Sequence, residues 1–372
     1  MRREIFAGVM SGTSLDGIDA VVADFAPIKG TCELLGATHI AFPSSLRDAL
    51  LALQSSGPDE IARAANAGIV LADLYATALH DACTDSGVAP HDVLAAGVHG
   101  QTIRHRPECG WTVQVNNPAR VAERAYMTVV ADFRSRDIAA GGQGAPLVPA
   151  FHAALFRIPD RHRVVANIGG IANITDLPMT GVRDEVRGFD TGPGNVLLDL
   201  WCARHRGAPF DAGGAWAASG AVEPALLETL LSEPFFEAAP PKSTGRDLFN
   251  AGWLDARLKA IAWQGPPVNV QATLTALTAR TLADAIRREC SDAVELLVCG
   301  GGARNAALLR MLVQELQPMR VATTQSVGVA TDHVEPLAFA WLARESLKGR
   351  PGNIPTVTGA AGMRVLGAIY PR

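Results

Sequence analysis

The sequence predicts an α/β protein of two domains, each a sheet covered by helices. Three observations predict it. Strand-like and helix-like segments alternate along the chain, a mixture that favours sheets with helices packed on their faces. The order of elements starts again after a Gly- and Ala-rich stretch, Ala139–Gly144, that is followed by Pro146 and Pro149, a composition typical of a domain crossing. The 372 residues also exceed what one hydrophobic core usually supports.

In order along the chain, Arg3–Gly8 and Ile18–Phe25 are expected as two strands joined by a Ser/Gly/Thr loop, and Glu33–Ala41 as a third. Ser44–Gln54 and Asp59–Ser86 read as helices, the second from apolar residues at helical spacing (Ile61, Ala64, Leu71, Leu74). Val93–Val98 is a short buried strand that ends in His99-Gly100-Gln101-Thr102. Trp111–Val115 and Thr128–Ala131 are further strands, with a helix from Pro118 between them. In the second half Val164–Ile168, Ile171–Thr175, Val186–Phe189, Glu295–Val298 and Arg320–Thr323 read as strands. Val196–His205, Glu223–Leu231, Asn269–Cys290, Ala303–Leu316 and Glu335–Leu347 read as helices. The expected lobes are residues 1–132, completed by 345–372, and residues 133–344.

Bulk composition narrows the function. Nearly half the residues are apolar and 19% are charged, which is globular and not disordered. A net charge of −4 provides no electrostatic reason to expect nucleic acid as a partner. Cys32, Cys83, Cys109, Cys202, Cys290 and Cys299 form no C-x-x-C pair and have no His at metal-ligand spacing, so reduced thiols of a cytoplasmic protein are expected. The apolar run Ile5–Met10 is too short for an export signal, and Asp, His or Arg interrupts every longer apolar stretch, so no membrane partner is expected.

Three small-residue loops at expected strand ends carry the chemistry. Gly-Phe-Asp-Thr-Gly-Pro-Gly-Asn (188–195) sets one carboxylate, Asp190, beside Gly192 and Gly194 and just ahead of a helix. Such a position suits a general base, and it equally suits a helix cap. In residues 10–19, Ser11, Gly12, Thr13 and Ser14 form a turn whose N–H groups can receive phosphate, and Asp16 and Asp19 suit Mg²⁺. An ordinary hairpin is the competing reading there. Gly300, Gly301 and Gly302 follow a buried strand and open a helix, the crossing at which open α/β sheets bind ligands. Asn167–Thr175 is a further Gly-rich hairpin that includes Gly169 and Gly170. No Walker A sequence occurs, and His99 and His105 read as part of a polar cluster and not as metal ligands.

These motifs resemble those of the anhydro-N-acetylmuramic acid kinases, members of the two-lobed actin/Hsp70/hexokinase-like (ribonuclease H-like) ATPase superfamily. The likeness runs along nearly the whole chain. It includes Met-Ser-Gly-Thr-Ser-Leu-Asp-Gly (10–17), His-Gly-Gln-Thr-Ile-Arg-His (99–105), Ala-Asp-Phe-Arg (131–134) and Gly-Gly-Gln-Gly-Ala-Pro-Leu-Val-Pro (141–149). It continues through Asn-Ile-Gly-Gly-Ile-Ala-Asn (167–173), Phe-Asp-Thr-Gly-Pro-Gly-Asn (189–195), Pro-Lys-Ser-Thr-Gly-Arg (241–246), Val-Cys-Gly-Gly-Gly-Ala (298–303) and Gly-Asn-Ile-Pro-Thr-Val-Thr-Gly-Ala (352–360). Departures are slight: Asp247 stands where the resemblance leads one to expect Glu, and Asp211-Ala-Gly-Gly replaces a more charged run.

The resemblance implies lobes that flank an ATP and substrate cleft. It implies an ATP-dependent kinase that phosphorylates O6 of 1,6-anhydro-N-acetylmuramic acid while water opens the ring at C1, during recycling of cell-wall peptidoglycan. Asp190 is then the catalytic base. Gly12, Thr13, Ser14, Leu15, Asp16, Gly17, Ile18 and Asp19 form the phosphate-binding hairpin, with Asp16 toward the metal. Asn167, Gly169, Gly170, Gly192, Gly194, Gly300, Gly301 and Gly302 complete the nucleotide site. Thr102, Arg134 and Glu335 are assigned to the sugar, with Arg134 suited to the lactyl carboxylate through its forked guanidinium. The competing role for Arg134 is an ion pair with Asp132 or Asp137, and for Glu335 a first-turn helix acid. A homodimer is implied by the resemblance alone. The alternatives are a kinase for another anhydrosugar, such as 1,6-anhydroglucose, and an actin-like ATP-binding scaffold or regulator.

Overall fold

The buried apolar strand β1 (Ile5–Met10) pairs antiparallel with β2 (Gly17–Asp24), and β2 pairs antiparallel with β3 (Glu33–Ala41). This computed structural model describes residues 3–12, 15–26, 32–181 and 185–372. On the other side of β1, β4 (Ala95–Val98) runs parallel to it. A parallel neighbour needs a long crossover, and the Glu60–Ser86 helix lies on that path. Its Leu71, Tyr75 and Leu79 fall on one face and are fully buried. A polar ribbon of β5 (Gln101–Arg106) and β6 (Trp111–Val115) follows. Then β7 (Val129–Ala131) pairs parallel with β4.

The second sheet begins with another antiparallel meander: β8 (Arg163–Ile168), β9 (Ile171–Leu177) and β10 (Arg187–Pro193). On the far side of β8 come β11 (Glu295–Cys299) and β12 (Arg320–Thr323), both parallel. The Pro267–Glu289 helix precedes β11, and the Ala306–Leu316 helix joins β11 to β12. Finally β13 (Ala368–Tyr370) returns to the first sheet, antiparallel to β7. The sheet orders are β13-β7-β4-β1-β2-β3 and β10-β9-β8-β11-β12. Without β13, each reads 3-2-1-4-5 with only its second strand reversed, the ribonuclease H-like arrangement that the resemblance implies.

The chain divides into one unit of Met1–Leu155 with His333–Arg372 and a second of Phe156–Asp332. Residues 133–155 and 333–344, expected in the second lobe, thus group with the first. Local chemistry explains both shifts. Asp137 receives Asn353 Nδ2 at 2.7 Å and Thr358 Oγ1 at 2.8 Å, which ties residues after β7 to the C-terminal segment. The Val334–Leu347 helix packs on β1 and β4. It comes so close that a Cβ at Gly8 would lie 1.9 Å from the Pro336 carbonyl oxygen, and one at Gly97 would lie 2.0 Å from that of Phe339. Only glycine fits under a helix at that distance.

Candidate active site

In the second unit the site is built on an edge strand. Asp190 lies within β10, which continues to Pro193, so it is neither a turn residue nor the cap of the following helix. A register shift between Asp190 and Gly192 leaves Thr191 as an extra residue, and its Oγ1 donates to the Ala172 carbonyl at 3.2 Å. A bulge re-aims the neighbouring side chains. Gly192 has φ of 145° and the Phe236 ring 2.7 Å from where a Cβ would sit, which excludes any other residue there.

The 240–246 loop completes the setting of Asp190. The Asp190 N–H donates to the Lys242 carbonyl at 3.1 Å, and the Thr244 N–H donates to Asp190 Oδ2 at 2.9 Å. Lys242 Nζ is held by the carbonyls of Phe235 and Phe236 at 2.9 and 3.0 Å. Burial pushes the Asp190 pKa up to about 6, against the opposing pull of the Thr244 N–H and the Lys242 charge. A carboxyl poised there is a usable base near neutral pH.

The Gly-rich turns of this unit meet beside it. Gly194 N–H and Asn195 N–H donate to the carbonyls of Gly170 and Gly169 at 2.9 and 2.8 Å, and Asn195 Nδ2 donates to the Ile168 carbonyl at 3.1 Å. The glycines fall into two kinds. A Cβ at Gly194, Gly300 or Gly302 would strike Gly169, Asn167 or Ile168 at 2.3–2.4 Å, so these three are glycine because the loops are packed together. At Gly169, Gly170 and Gly301 the nearest atom would be 3.5 Å or more away. A Cβ on those three would make only ordinary van der Waals contact, so packing does not require glycine there.

The first unit gathers a second set. After β1, Leu15 takes φ of 57° and its N–H donates to the Gly12 carbonyl at 3.2 Å. Gln101 Nε2 donates to the same carbonyl at 3.1 Å, and Ser11 Oγ meets the buried Tyr75 hydroxyl at 2.7 Å. Thr13 and Ser14 lie outside the described residues. The Gly17 N–H donates to Asp16 Oδ1 at 3.0 Å. Gly17 also lies against β3, where a Cβ would meet the Ile40 carbonyl, while Ile18 is fully buried in the core. Asp19 Oδ1 is 2.8 Å from His39 Nδ1, and partial burial raises the Asp19 pKa against that contact.

Thr102 Oγ1 accepts from Gln114 Nε2 at 3.1 Å across the β5–β6 ribbon. Arg134 donates from Nε and Nη2 to His99 Nε2 at 3.0 and 2.8 Å, and from Nη1 to the Gly144 carbonyl at 2.7 Å. Burial pushes its pKa down to about 10, while the negative charges of Glu335 and Asp137 oppose the shift. Glu335 stands in the first turn of the Val334–Leu347 helix, close enough to act on Arg134.

Asp16 and Asp19 are a suitable donor pair for Mg²⁺, which takes one or two carboxylates and keeps several waters. Among the described residues no set of three or more His, Cys, Asp or Glu side chains is arranged to hold a metal. Sequence reasoning gave no role to His99, Gln101, Lys242 or Thr244. Lys242 and Thr244 belong to a short Pro- and Ser-containing run with no helical or strand period, and only their hydrogen bonds with Asp190, which for Thr244 lies 54 positions earlier, reveal their part.

The chain matches the family model for anhydro-N-acetylmuramic acid kinase over residues 4–372. It is 55% identical over 373 residues to the anhydro-N-acetylmuramic acid kinase of Paraburkholderia xenovorans, covering 99% of this chain and 98% of that protein. It is 53% identical over 374 residues to the enzyme of that name from Cupriavidus metallidurans, with the same coverage. Among solved structures it matches the activator of the 2-hydroxyisocaproyl-CoA dehydratase from Clostridium difficile with bound ADPNP. That match has a TM-score of 0.49 and 13% identity over 92% of this chain and 97% of the other. This chain belongs to the anhydro-N-acetylmuramic acid kinase family.

Proposed function

We propose that the protein transfers the γ-phosphoryl group of ATP to O6 of 1,6-anhydro-N-acetylmuramic acid as water opens the anhydro ring. In this reading the water oxygen bonds to C1, its proton passes to Asp190, and the C1–O6 bond breaks. O6 takes the phosphoryl group and ADP leaves. The phosphoryl group replaces the proton that a leaving sugar oxygen otherwise needs, so a single carboxylate suffices where inverting glycosidases use two. The product is N-acetylmuramic acid 6-phosphate, a step in peptidoglycan recycling.

The setting of Asp190 carries the reading. It is a carboxylate with its pKa raised toward neutrality, with Oδ2 held by the Thr244 N–H, and we assign the water's proton to Oδ1. Phosphoryl transfer otherwise rests on positioning and charge stabilisation. We assign the phosphates to the Gly12–Asp19 hairpin, with Mg²⁺ at Asp16 supplying positive charge to them. The nucleotide is further assigned to Asn167, Gly169, Gly170, Gly192, Gly194 and Gly300–Gly302, and the sugar to Thr102, Arg134 and Glu335. Arg134, whose bonds to His99 and Gly144 leave one N–H on each Nη unclaimed among the described residues, suits an anionic lactyl group, which favours the muramic sugar over 1,6-anhydroglucose. No described helix is long and apolar enough to cross a membrane, and we assign the protein to the cytoplasm. A homodimer completes the proposal.

Turnover in ¹⁸O-water tests it. Prompt mass analysis should find one label in the C1 hydroxyl and none in the phosphate, with unlabelled product held in ¹⁸O-water as the exchange control. A product that keeps its ring, or that gains no label beyond the control, overturns the coupled mechanism.

A further inference from the structure

His99 follows β4 and is buried, with its ring 4.7 Å from that of Phe339 on the Val334–Leu347 helix. One ring nitrogen, Nε2, faces two guanidinium donors of Arg134. A nitrogen that accepts from a cation carries no proton, so the ring proton sits on Nδ1 and His99 is neutral. Burial, and then the charge of Arg134, hold the His99 pKa well below its ordinary value, which agrees with that geometry.

A neutral partner has a consequence that an acidic one would not. A carboxylate bonded to the guanidinium would cancel its charge, whereas an imidazole fixes its orientation and leaves the charge available. The charges of Glu335 and then Asp137 act on Arg134, and Asp137 is engaged by other groups: Oδ2 accepts from the Gly144 N–H at 2.8 Å, and Oδ1 accepts from Asn353 and Thr358. Gly144 therefore couples the two groups, since its carbonyl accepts from Arg134. Arg134 is thus not the ion pair with Asp132 or Asp137 that competed with its binding role. A guanidinium has five N–H groups. Among the described residues His99 and Gly144 take three, which leaves one on each Nη, the pair suited to two-point recognition of a carboxylate.

We propose that His99 is a positioning residue that gives the sugar site its preference for a carboxylate, by gripping the side edge of Arg134 and presenting the terminal edge to the lactyl group. This rests on the reading of Arg134 as the lactyl-binding residue. Glu335 and Asp137 are the acidic groups that act on Arg134, and the preference has to hold against their field.

Calorimetric titration of the full-length protein with 1,6-anhydro-N-acetylmuramic acid and with its neutral methyl ester tests the proposal. The wild type should bind the acid roughly 10- to 100-fold more tightly than the ester, the span of a charge-assisted pair. His99→Leu should erase that ratio by weakening only the acid. His99→Gln, whose amide oxygen reaches the place of Nε2, should keep most of it. If the Leu variant does not fold, His99→Asn, too short to reach that place, supplies the same readout. A wild-type ratio in His99→Leu or His99→Asn alongside a lost ratio in Arg134→Gln would overturn the role of His99. Equal weakening of acid and ester would do so too, by reducing His99 to a packing residue. If the wild type shows no preference and Arg134→Gln changes nothing, the reading of Arg134 itself falls, and this inference with it.

Discussion

The two units share one strand order yet hold their functional groups by different physical means. In the first, the Val334–Leu347 helix rests its Pro336 and Phe339 carbonyls on the backbone of β1 and β4 at Gly8 and Gly97. In the second, the Pro267–Glu289 helix meets its sheet through side chains: Ala279, Leu282, Ala283 and Ile286 pack in one cluster with Ile174 and Phe189. Its Thr278 hydroxyl lies 3.0 Å from both the Pro193 and the Gly194 carbonyl oxygens. Glu335, in the first turn of the glycine-seated helix, is placed by backbone contact. Asp190 is placed by a bulge and by hydrogen bonds from a loop. The first arrangement fails when an atom is added, and the second when a polar atom or a charge is removed.

The largest effect should come from taking the charge out of the second unit. Asp190→Asn should cut turnover by at least ~10²–10⁴-fold, the usual worth of a general base, with nucleotide affinity unchanged by direct titration. For the wild type, kcat/KM should fall on an acid limb with an apparent pKa near 6. Stability should move the other way. An unfolded Asp titrates near 3.9, and the folded value is about 6. The folded state therefore holds this proton more tightly. Its contribution is complete below the unfolded pKa and is lost as pH rises through the folded one. The Asn variant should thus melt higher than wild type at pH 8 and equally at pH 4. Near-normal turnover would place the base elsewhere, and an unchanged melting difference between the two pH values would deny the raised pKa.

A smaller effect separates packed from open glycines. Gly97→Ala should destabilise the protein by about 1–3 kcal/mol or more in urea unfolding, because the new methyl meets the Phe339 carbonyl and a helix backbone yields little. Gly170→Ala in the second unit adds a methyl whose nearest neighbour is 4.0 Å away. It should leave stability within ~0.5 kcal/mol and raise the KM for ATP roughly tenfold, the effect of ~1.4 kcal/mol of lost contact. Equal stability losses in the two variants would erase the contrast between the units. An unchanged KM would remove Gly170 from the nucleotide site.

What was legible in the sequence follows the same division. Periodicity and buried runs located most strands and long helices, since Leu71, Tyr75 and Leu79 or Leu296–Val298 report burial by their own pattern. The β5 strand escaped because Gln-Thr-Ile-Arg-His-Arg has too few apolar residues to mark a face, and β13 because three residues carry no period. The expected strand stops at Phe189 because Gly192, Pro193 and Gly194 are turn formers by local chemistry. A bulged edge strand uses the same residues, and only the pairing of Gly192 with Ala172 and Pro193 with Ile171 tells them apart. Asp190 stood out as a lone carboxylate among small residues, whereas Arg134, flanked by Asp132, Arg136 and Asp137, stood out only through the resemblance. Their partners Thr244 and His99 did not, because the hydrogen bonds that engage them span 54 and 35 positions.

The smallest expected effect probes helix ends, where the two units should behave almost alike. Asn117 Oδ1 accepts from the Arg120 N–H at 3.1 Å to cap the Pro118–Ala125 helix of the first unit. Asn305 Oδ1 accepts from the Leu308 N–H at 3.0 Å to cap the Ala306–Leu316 helix of the second. Each Ala replacement leaves one orphaned donor and should cost about 1 kcal/mol. Asn305 differs in one respect: its Oδ1 fills the space beside Gly214, 2.0 Å from where a Cβ there would lie. Asn305→Ala should therefore lose packing as well as a cap, and exceed Asn117→Ala by a few tenths of a kcal/mol in matched urea titrations. Asp in place of Asn at either position should keep the cap, since its carboxylate accepts the same N–H at a helix N-terminus. A larger loss at Asn117 than at Asn305 would show that the side-chain packing of the second unit adjusts around a missing group, contrary to the way it holds Asp190.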